Sequence, residues 1–342
     1  MTGSPYAVAP GALLTGAGEP FKVFSAYHRA WLRHGWARPA QEPGDIRWDR
    51  AVADEGIPAV TLPAGLELPE AGEPAGRERW AAFRDATLGG YGGTRNRTDV
   101  DGTSALSAHL KYGELHPRTL LADLGNDTNE GAERYRFELC WRDFYADVLW
   151  HEPASAREDL RPALAGMTYD DGPLADERFA AWAEGRTGFP FVDAGMRQLR
   201  ATGWVHNRAR MVVASFLVKD LHLPWQRGAR HFMHWLRDGD LASNMHGWQW
   251  VAGTGTDAAP YFRIFNPVKQ GLTFDPDGTY VRRWVPELRG VPGAAVHEPW
   301  LLPGGLPDGY PARVVDHSVE RAEALRRYEA ARSGERVPAS AG

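Results

Sequence analysis

EGAERYRFELCWRDFYADVLW, residues 130–150, reads as one long helix and decides the class of fold. Phe137, Cys140, Phe144 and Val148 recur at spacings of three and four, which makes a core-facing stripe. Glu138, Trp141, Arg142 and Tyr145 keep the same spacing on an adjoining face. That second face mixes two large aromatics with one acid and one base, an unusual content for a surface that only meets water. Working outward, the same periodicity predicts helices over Phe24–His34, His206–Leu221 and Arg227–Leu236. A polar helix capped by Asp316 or Ser318 is expected to run to about Arg332, followed by a loose tail. Residues 1–20 and about 52–78 are rich in Pro and Gly and read as connecting chain. Strands are expected to be few and short, so the fold class is mostly α.

The 342 residues can bury a substantial core, and 43% hydrophobic with 24% charged residues is the balance of an ordinary water-facing globular chain. No apolar run approaches the roughly 18 residues that a membrane span needs. The opening MTGSPYAVAP lacks the basic start and apolar stretch of a signal peptide. A single cysteine, Cys140, excludes an internal disulfide and a Cys-rich zinc site. A cytoplasmic monomer fits these features. Net charge is −5, so composition gives no hint of nucleic acid, and any DNA contact must come from a local basic surface. Tryptophan is the outlier with 14 copies. A large aromatic core accounts for most of them, but Trp also stacks on bases and flavins, so position matters more than number.

Some apparent motifs fall away on context. Gly253-Thr-Gly255-Thr-Asp-Ala258 matches a dinucleotide fingerprint but follows a Trp-rich helical stretch instead of a strand. The glycines of GGYGGTRNR lack the Lys-Ser/Thr of a phosphate loop, and His231 with His234 has no further ligand to complete a metal site. Four segments resist explanation as plain core or surface. Asp101–Ser107 opens a helix and puts the hydroxyls of Thr103, Ser104 and Ser107 beside free backbone N–H groups, as a phosphate needs; taken alone, such a segment is more often just a helix cap. The second segment is the Glu138/Trp141/Arg142/Tyr145 face. In the third, Trp204–Met211, a helix puts Asn207 with Met211 and Trp204 with Arg208. In the fourth, Asp238–Trp250, Trp248 and Trp250 are about 200° apart on a helix, so one enters the interior while the other lines a cavity.

These segments, in this order, resemble the photolyase/cryptochrome family, and in detail the class I photolyases of cyclobutane pyrimidine dimers. The likeness runs from PGALLTGAGEPFKVF through FELCWRDFY, TGFPFVDAGMRQLRATGWVHNRARMVVASFLVKDL and DGDLASNMHGWQWVAGTGTDAAPYFRIFNP to VHEPW. It implies the helical FAD-binding domain of photolyases over residues 73–332, with 1–72 a linker or remnant and 333–342 a tail. It implies light-driven repair of dimers in UV-damaged DNA, single- or double-stranded, by electron transfer from photoexcited reduced FAD to a flipped-out lesion. By the same resemblance, Tyr91 and Thr103, Ser104, Ala105, Leu106 and Ser107 hold the FAD phosphates and ribityl chain. Asp238, Gly239, Asp240 and Arg210 surround the flavin ring, with Arg210 and Asp238 as a buried ion pair, and Asn244 faces the central-ring nitrogen. Asn207 and Met211 touch the lesion, Trp141 and Trp250 sandwich it, and Glu138, its pKa raised in a dry pocket, bonds a thymine carbonyl. Arg95, Arg142 and Arg208, with Tyr145, meet DNA around the cavity.

The chain departs from the family's pattern in two places. Relatives usually carry an N-terminal α/β antenna domain, and this sequence starts near that domain's end, so the antenna site is expected to be essentially absent and no second pigment bound. The family's photoreduction relay commonly has three tryptophans. Trp248 and Trp225 match the inner two, but Gly172 stands at the outer position, with Tyr169, or Trp182 further on, as a substitute. Relatives acting on (6-4) lesions place two histidines where Asn207 and Met211 stand, and signalling cryptochromes often replace the residue at Asn244. A cryptochrome-type photoreceptor and a non-catalytic flavin- or DNA-binding module remain the alternatives.

Overall fold

The computed structural model describes residues 4–41, 59–161, 166–256 and 263–333, together with 44, 45, 47, 56 and 164. Among them there is no strand, and the chain is built of α-helices joined by turns and short 3-10 segments. The expected tail beyond Ser333, and most of residues 48–58, lie outside the described residues.

Two apolar cores organise these helices. The first gathers α1 (Phe24–His34), α2 (Glu73–Ala86), α3 (Tyr91–Thr94), α4 (Ser107–Lys111), α5 (Pro117–Leu124) and α6 (Glu130–His151). The long helix α6 is its axis. Asn129 caps it by accepting the Gly131 N–H, and Glu130 and Glu133 sit at its positive end. Gly131 has to be glycine, because a Cβ there would lie 1.7 Å from the Leu88 carbonyl oxygen. Cys140, Phe144 and Val148 are buried as the stripe requires, while Phe137 is only half-buried.

The second core gathers α7 (Gly172–Glu184), α8 (Pro190–Thr202), α9 (Asn207–Lys219), α10 (Trp225–Trp235), α11 (Leu241–Ala252), α12 (Pro267–Phe274), α13 (Thr279–Trp284) and α14 (His317–Ser333). Gly185, Gly203 and Gly253 end α7, α8 and α11 in the left-handed conformation, which glycine adopts without steric cost. Gly253, the start of the rejected dinucleotide match, is thus a helix C-cap. Asp316 starts α14 by accepting the Ser318 and Val319 N–H groups, and His317–Asp220 and Glu320–His222 pairs tie this helix to the end of α9.

Helix limits differ from expectation where an unusual cap intervenes. The helix expected over His206–Leu221 runs Asn207–Lys219, because the His206 ring itself caps it by accepting the Arg208 N–H. Trp204 therefore precedes the helix instead of sharing a face with Arg208. The helix after Asp101 begins only at Ser107 and is five residues long. Thr103 and Ser104 lie in the loop before it, where Ala105 holds the left-handed φ of 48°.

Residues 4–23 have no helix of their own, as their Pro and Gly content implies, yet they pack onto α6. Ala7 and Val8 are buried, and their N–H groups donate to the Asp143 carboxylate at 3.3 and 2.9 Å. Gly11 N–H donates to Asp147 at 2.8 Å. Buried backbone outside helix or sheet has to find partners, and here two carboxylates of α6 supply them.

Candidate active site

A cavity of about 650 Å³ opens at the seam between the two cores, the size of a cofactor or substrate cleft. One wall comes from α3, the 103–107 loop, α4 and α6; the other comes from α9, α10, α11 and the turn before α11. All four chemically unusual segments converge on it. Tyr91, Thr103, Ser104, Ala105, Leu106, Ser107, Glu138, Trp141, Asn207, Arg210, Met211, Asp238, Asp240, Asn244 and Trp250 line it, as do Arg95, Arg142, Tyr145 and Arg208. Trp248 reaches the same space although it is 3% exposed and packed edge-on against Phe232. Trp248 and Trp250 thus divide between interior and cavity as their spacing predicts.

Gly239, Trp225 and Tyr169 do not line the cavity. Gly239 shapes the turn, its N–H donating to the Leu236 carbonyl. Trp225 is wholly buried and donates its indole N–H to Asp159 at 2.7 Å. Tyr169 packs at the margin of the second core, with its phenol pKa raised first by burial and then by the Asp159 charge. Trp182 touches Trp248 with rings 6.1 Å apart, but it is fully buried and bonded to the Val213 carbonyl, so it cannot meet solvent as an outer donor must.

The polar lining is asymmetric. Five cationic side chains (Arg95, Lys111, Arg142, Arg208, Arg210) face three carboxylates, so the cavity is positive in a chain of net charge −5. Arg210 Nη2 donates to Asp238 Oδ2 at 2.7 Å; Asp238 is buried, while Arg210 keeps partial exposure on the cavity side. Arg95 Nη2 approaches Glu138 Oε1 at 2.7 Å, off the hydrogen-bond direction. Burial pushes the Glu138 carboxyl above the usual range, and Arg95 and then Arg134 pull against it. Arg142 is half-buried, donating to the Pro5 carbonyl at 2.7 Å and the Leu110 carbonyl at 3.1 Å.

Several buried polar atoms on this lining make no hydrogen bond: Ser107 Oγ, Asp238 Oδ1, Arg208 Nε and Glu138 Oε1, the last having only its ion pair with Arg95. An orphaned buried polar atom costs about 1–3 kcal/mol, and the three atoms without any ion pair, spread over both walls, point to a polar ligand that pairs with them. Asn244 donates Nδ2 to the Ala229 carbonyl at 3.0 Å, which fixes its amide and leaves Oδ1 as the acceptor for the cavity. Gly247 adds room, since a Cβ on it meets nothing within 4 Å.

Sequence reasoning missed residues that set the aromatic wall and the polar ends. Phe24 of α1 stacks on Trp141 with rings 3.6 Å apart and 3° from parallel, fixing that indole. Tyr135 pairs its hydroxyl with Ser104 Oγ at 3.0 Å. Tyr135 was visible one turn before Glu138 on α6; nothing in the sequence marked Phe24 as its helix's contact to Trp141.

The sequence matches the family described as the FAD binding domain of DNA photolyase over residues 135–330. It is 43% identical over 340 residues to the deoxyribodipyrimidine photo-lyase of Escherichia coli (strain K12), covering 95% of this chain and 71% of that protein. The structure resembles a bacterial class III photolyase from Agrobacterium tumefaciens with a TM-score of 0.84 and 35% identity, covering 96% of this chain and 72% of the other. It also resembles the Synechocystis sp. PCC6803 cryptochrome with a TM-score of 0.79 and 30% identity, covering 94% and 71%. No helix among the described residues is long and apolar enough to cross a membrane.

Proposed function

This chain belongs to the DNA photolyase family of FAD-binding proteins, and from that premise we propose that it repairs cyclobutane pyrimidine dimers in UV-damaged DNA, using light absorbed by FAD. The observation that carries the reading is the seam cavity, where a buried carboxyl, two tryptophans and unpartnered polar atoms face one space.

The lining suits FAD. Ser107 and the 103–107 loop, with the cations Lys111 and Arg142 on the same wall, would hold its phosphates. Asp238, Arg210 and Asn244 would hold the ring system, Asp238 Oδ1 and Asn244 Oδ1 offering acceptors for ring or ribityl donors. When bound, FAD supplies the light-excitable electron donor that side chains lack.

The remaining residues handle the lesion. A linked dimer pairs and stacks poorly, so extruding it costs less than the few kcal/mol of an intact base. Trp141, clamped by Phe24, and Trp250 give it two flat apolar faces, with stacking worth about 1–3 kcal/mol per base. Asn207, at the exposed start of α9, and Met211 one turn on complete the floor. Burial makes Glu138 retain a proton more readily than an exposed carboxyl, which suits it to donate a hydrogen bond to a thymine carbonyl. Arg95 and Arg208 attract DNA phosphates to the rim.

The test is direct. Purified protein loaded with FAD is mixed with dimer-containing oligonucleotide and followed in blue light and in darkness; dimers should disappear only in light. A cryptochrome-type photoreceptor, the reading favoured by the 0.79 likeness to the Synechocystis protein, would take up FAD and leave the dimers intact.

A further inference from the structure

Arg142 stands on the cavity wall, but three other groups hold its guanidinium. Nη1 donates to the Pro5 carbonyl, Nη2 donates to the Leu110 carbonyl, and the Tyr6 ring lies 4.4 Å from Cζ. One side chain of α6 thereby joins the N-terminal segment to α4, whose Leu110 and Lys111 line the same wall. Burial raises the pKa of the Tyr6 hydroxyl, and the charge of the Asp240 carboxylate on the opposite wall raises it further. Tyr6 therefore lies where the two walls approach.

The segment carrying Tyr6 is fastened at nearly every residue. The Ser4 carbonyl accepts from His116 Nε2 at 2.7 Å, and the Ala7 carbonyl accepts from Arg118 Nε at 2.9 Å. Ala7 and Val8 donate to Asp143, which also accepts the Trp31 indole N–H at 2.9 Å, and Gly11 donates to Asp147. Asp143 and Asp147 are 1% and 0% exposed, so each pays a desolvation penalty to hold eight residues of irregular backbone. An apolar contact would have covered α6 at lower cost. What the carboxylates add is a fixed position for Tyr6 over Arg142.

We propose that residues Ser4–Gly11 are a clasp on the α4–α6 side of the cavity, and that Tyr6, by stacking on Arg142, is a positioning residue that slows the departure of FAD. This rests on the reading that the cavity holds FAD. Loss of the ring over the guanidinium should speed release about tenfold, which corresponds to about 1.4 kcal/mol in the barrier to departure.

The experiment loads the full chain with FAD, dilutes it into excess apo-glucose oxidase, an FAD-binding apoprotein, as a trap, and follows release of FAD by fluorescence in the dark. Tyr6→Ala should release FAD about tenfold faster than the parent; Tyr6→Leu, which keeps volume without a π-face, should do the same; Tyr6→Phe should release at the parent rate. Unfolding midpoints of the FAD-free proteins should stay together, since a merely structural Tyr6 would lower them. Parent-like release from both Tyr6→Ala and Tyr6→Leu overturns the clasp. So does fast release from Tyr6→Phe, which would move the role to the hydroxyl, and so does a matching drop in FAD-free stability. A parent protein that takes up no FAD overturns the cofactor reading itself, a result distinct from any of these.

Discussion

Replacing Gly228 with alanine tests how tightly Trp248, the tryptophan expected to relay electrons to the flavin, is packed. Gly228 lies inside α10, and a Cβ there would stand 2.2 Å from Trp248 Cη2, 2.5 Å from Cζ3 and 2.5 Å from Leu217 Cδ2. Ordinary contact starts near 3.4 Å, so the methyl intrudes by about an ångström on two side chains at once. Trp248 cannot swing aside freely, because Phe232 meets it edge-on at 5.1 Å and Trp182 at 6.1 Å. Overpacking of this kind costs about 1–3 kcal/mol, and the helix preference of alanine over glycine returns about 1. Taking the upper end, Gly228→Ala should destabilise by about 2 kcal/mol, or about 0.7 M in a urea midpoint with m near 3 kcal/mol/M. The displaced indole should also slow photoreduction of bound FAD. Gly247→Ala, on the facing helix, is the contrast. Its Cβ meets nothing within 4 Å, so FAD-free stability should hold or rise while the methyl, pointing into the cavity, weakens FAD binding. A Gly228→Ala protein within 0.5 kcal/mol of the parent on about the scale of surface substitutions, with normal photoreduction, would refute the packing argument.

Other expectations follow from single contacts. Trp250→Ala removes one stacking face and should weaken binding of dimer-containing DNA about tenfold or more, leaving undamaged duplex binding unchanged; equal loss on both would remove the sandwich. Tyr169→Phe should slow FAD photoreduction by an external thiol, because Tyr169 is partly exposed where Trp182 is not; an unchanged rate removes Tyr169 from the relay. Arg95→Gln removes the charge that holds the Glu138 pKa down, so repair that needs the protonated carboxyl should persist to higher pH than in the parent; superimposable pH profiles would count against that role. Burial, then Arg208, Arg210 and Arg95, hold the His206 pKa at about 4 against 6.5 unfolded, so its contribution is full above pH 6.5 and is lost as pH falls toward 4. At pH 5 the loss is about 2 kcal/mol by the 1.36 kcal/mol per unit relation, and His206→Asn, which keeps a capping acceptor, should fall less between pH 7 and 5 in urea unfolding.

Periodicity carried much of the fold. Phe24–His34 has the helix limits the spacing predicts, and the helix read over Glu130–Trp150 extends one residue further, to His151. The two faces read on that helix are a core stripe and a cavity wall. What spacing could not show was where caps fall and which polar groups are buried. His206 is an uncommon capping residue, so nothing flagged that α9 starts at Asn207 and leaves Trp204 in the preceding turn, held by Thr202 Oγ1. Asp143 and Asp147, four apart, have the look of a solvent-facing edge. They are buried because backbone N–H groups from residues about 136 positions away come to them, and such long-range pairing leaves no local trace.

The same reasoning explains why the site itself was more legible than its supports. A cavity between two cores is a place where side chains escape the usual sorting into apolar inside and polar outside. Residues such as Glu138 beside Trp141, or Asn207 with Met211, break the binary pattern of their helices, and a broken pattern can be read locally. Supports such as Phe24 or Tyr6 break nothing. Phe24 is an apolar residue on the apolar side of its helix, and Tyr6 sits in a segment that has no pattern to violate. Their effect exists only through the residues they touch, Trp141 and Arg142, and it becomes visible only when distant segments are placed side by side.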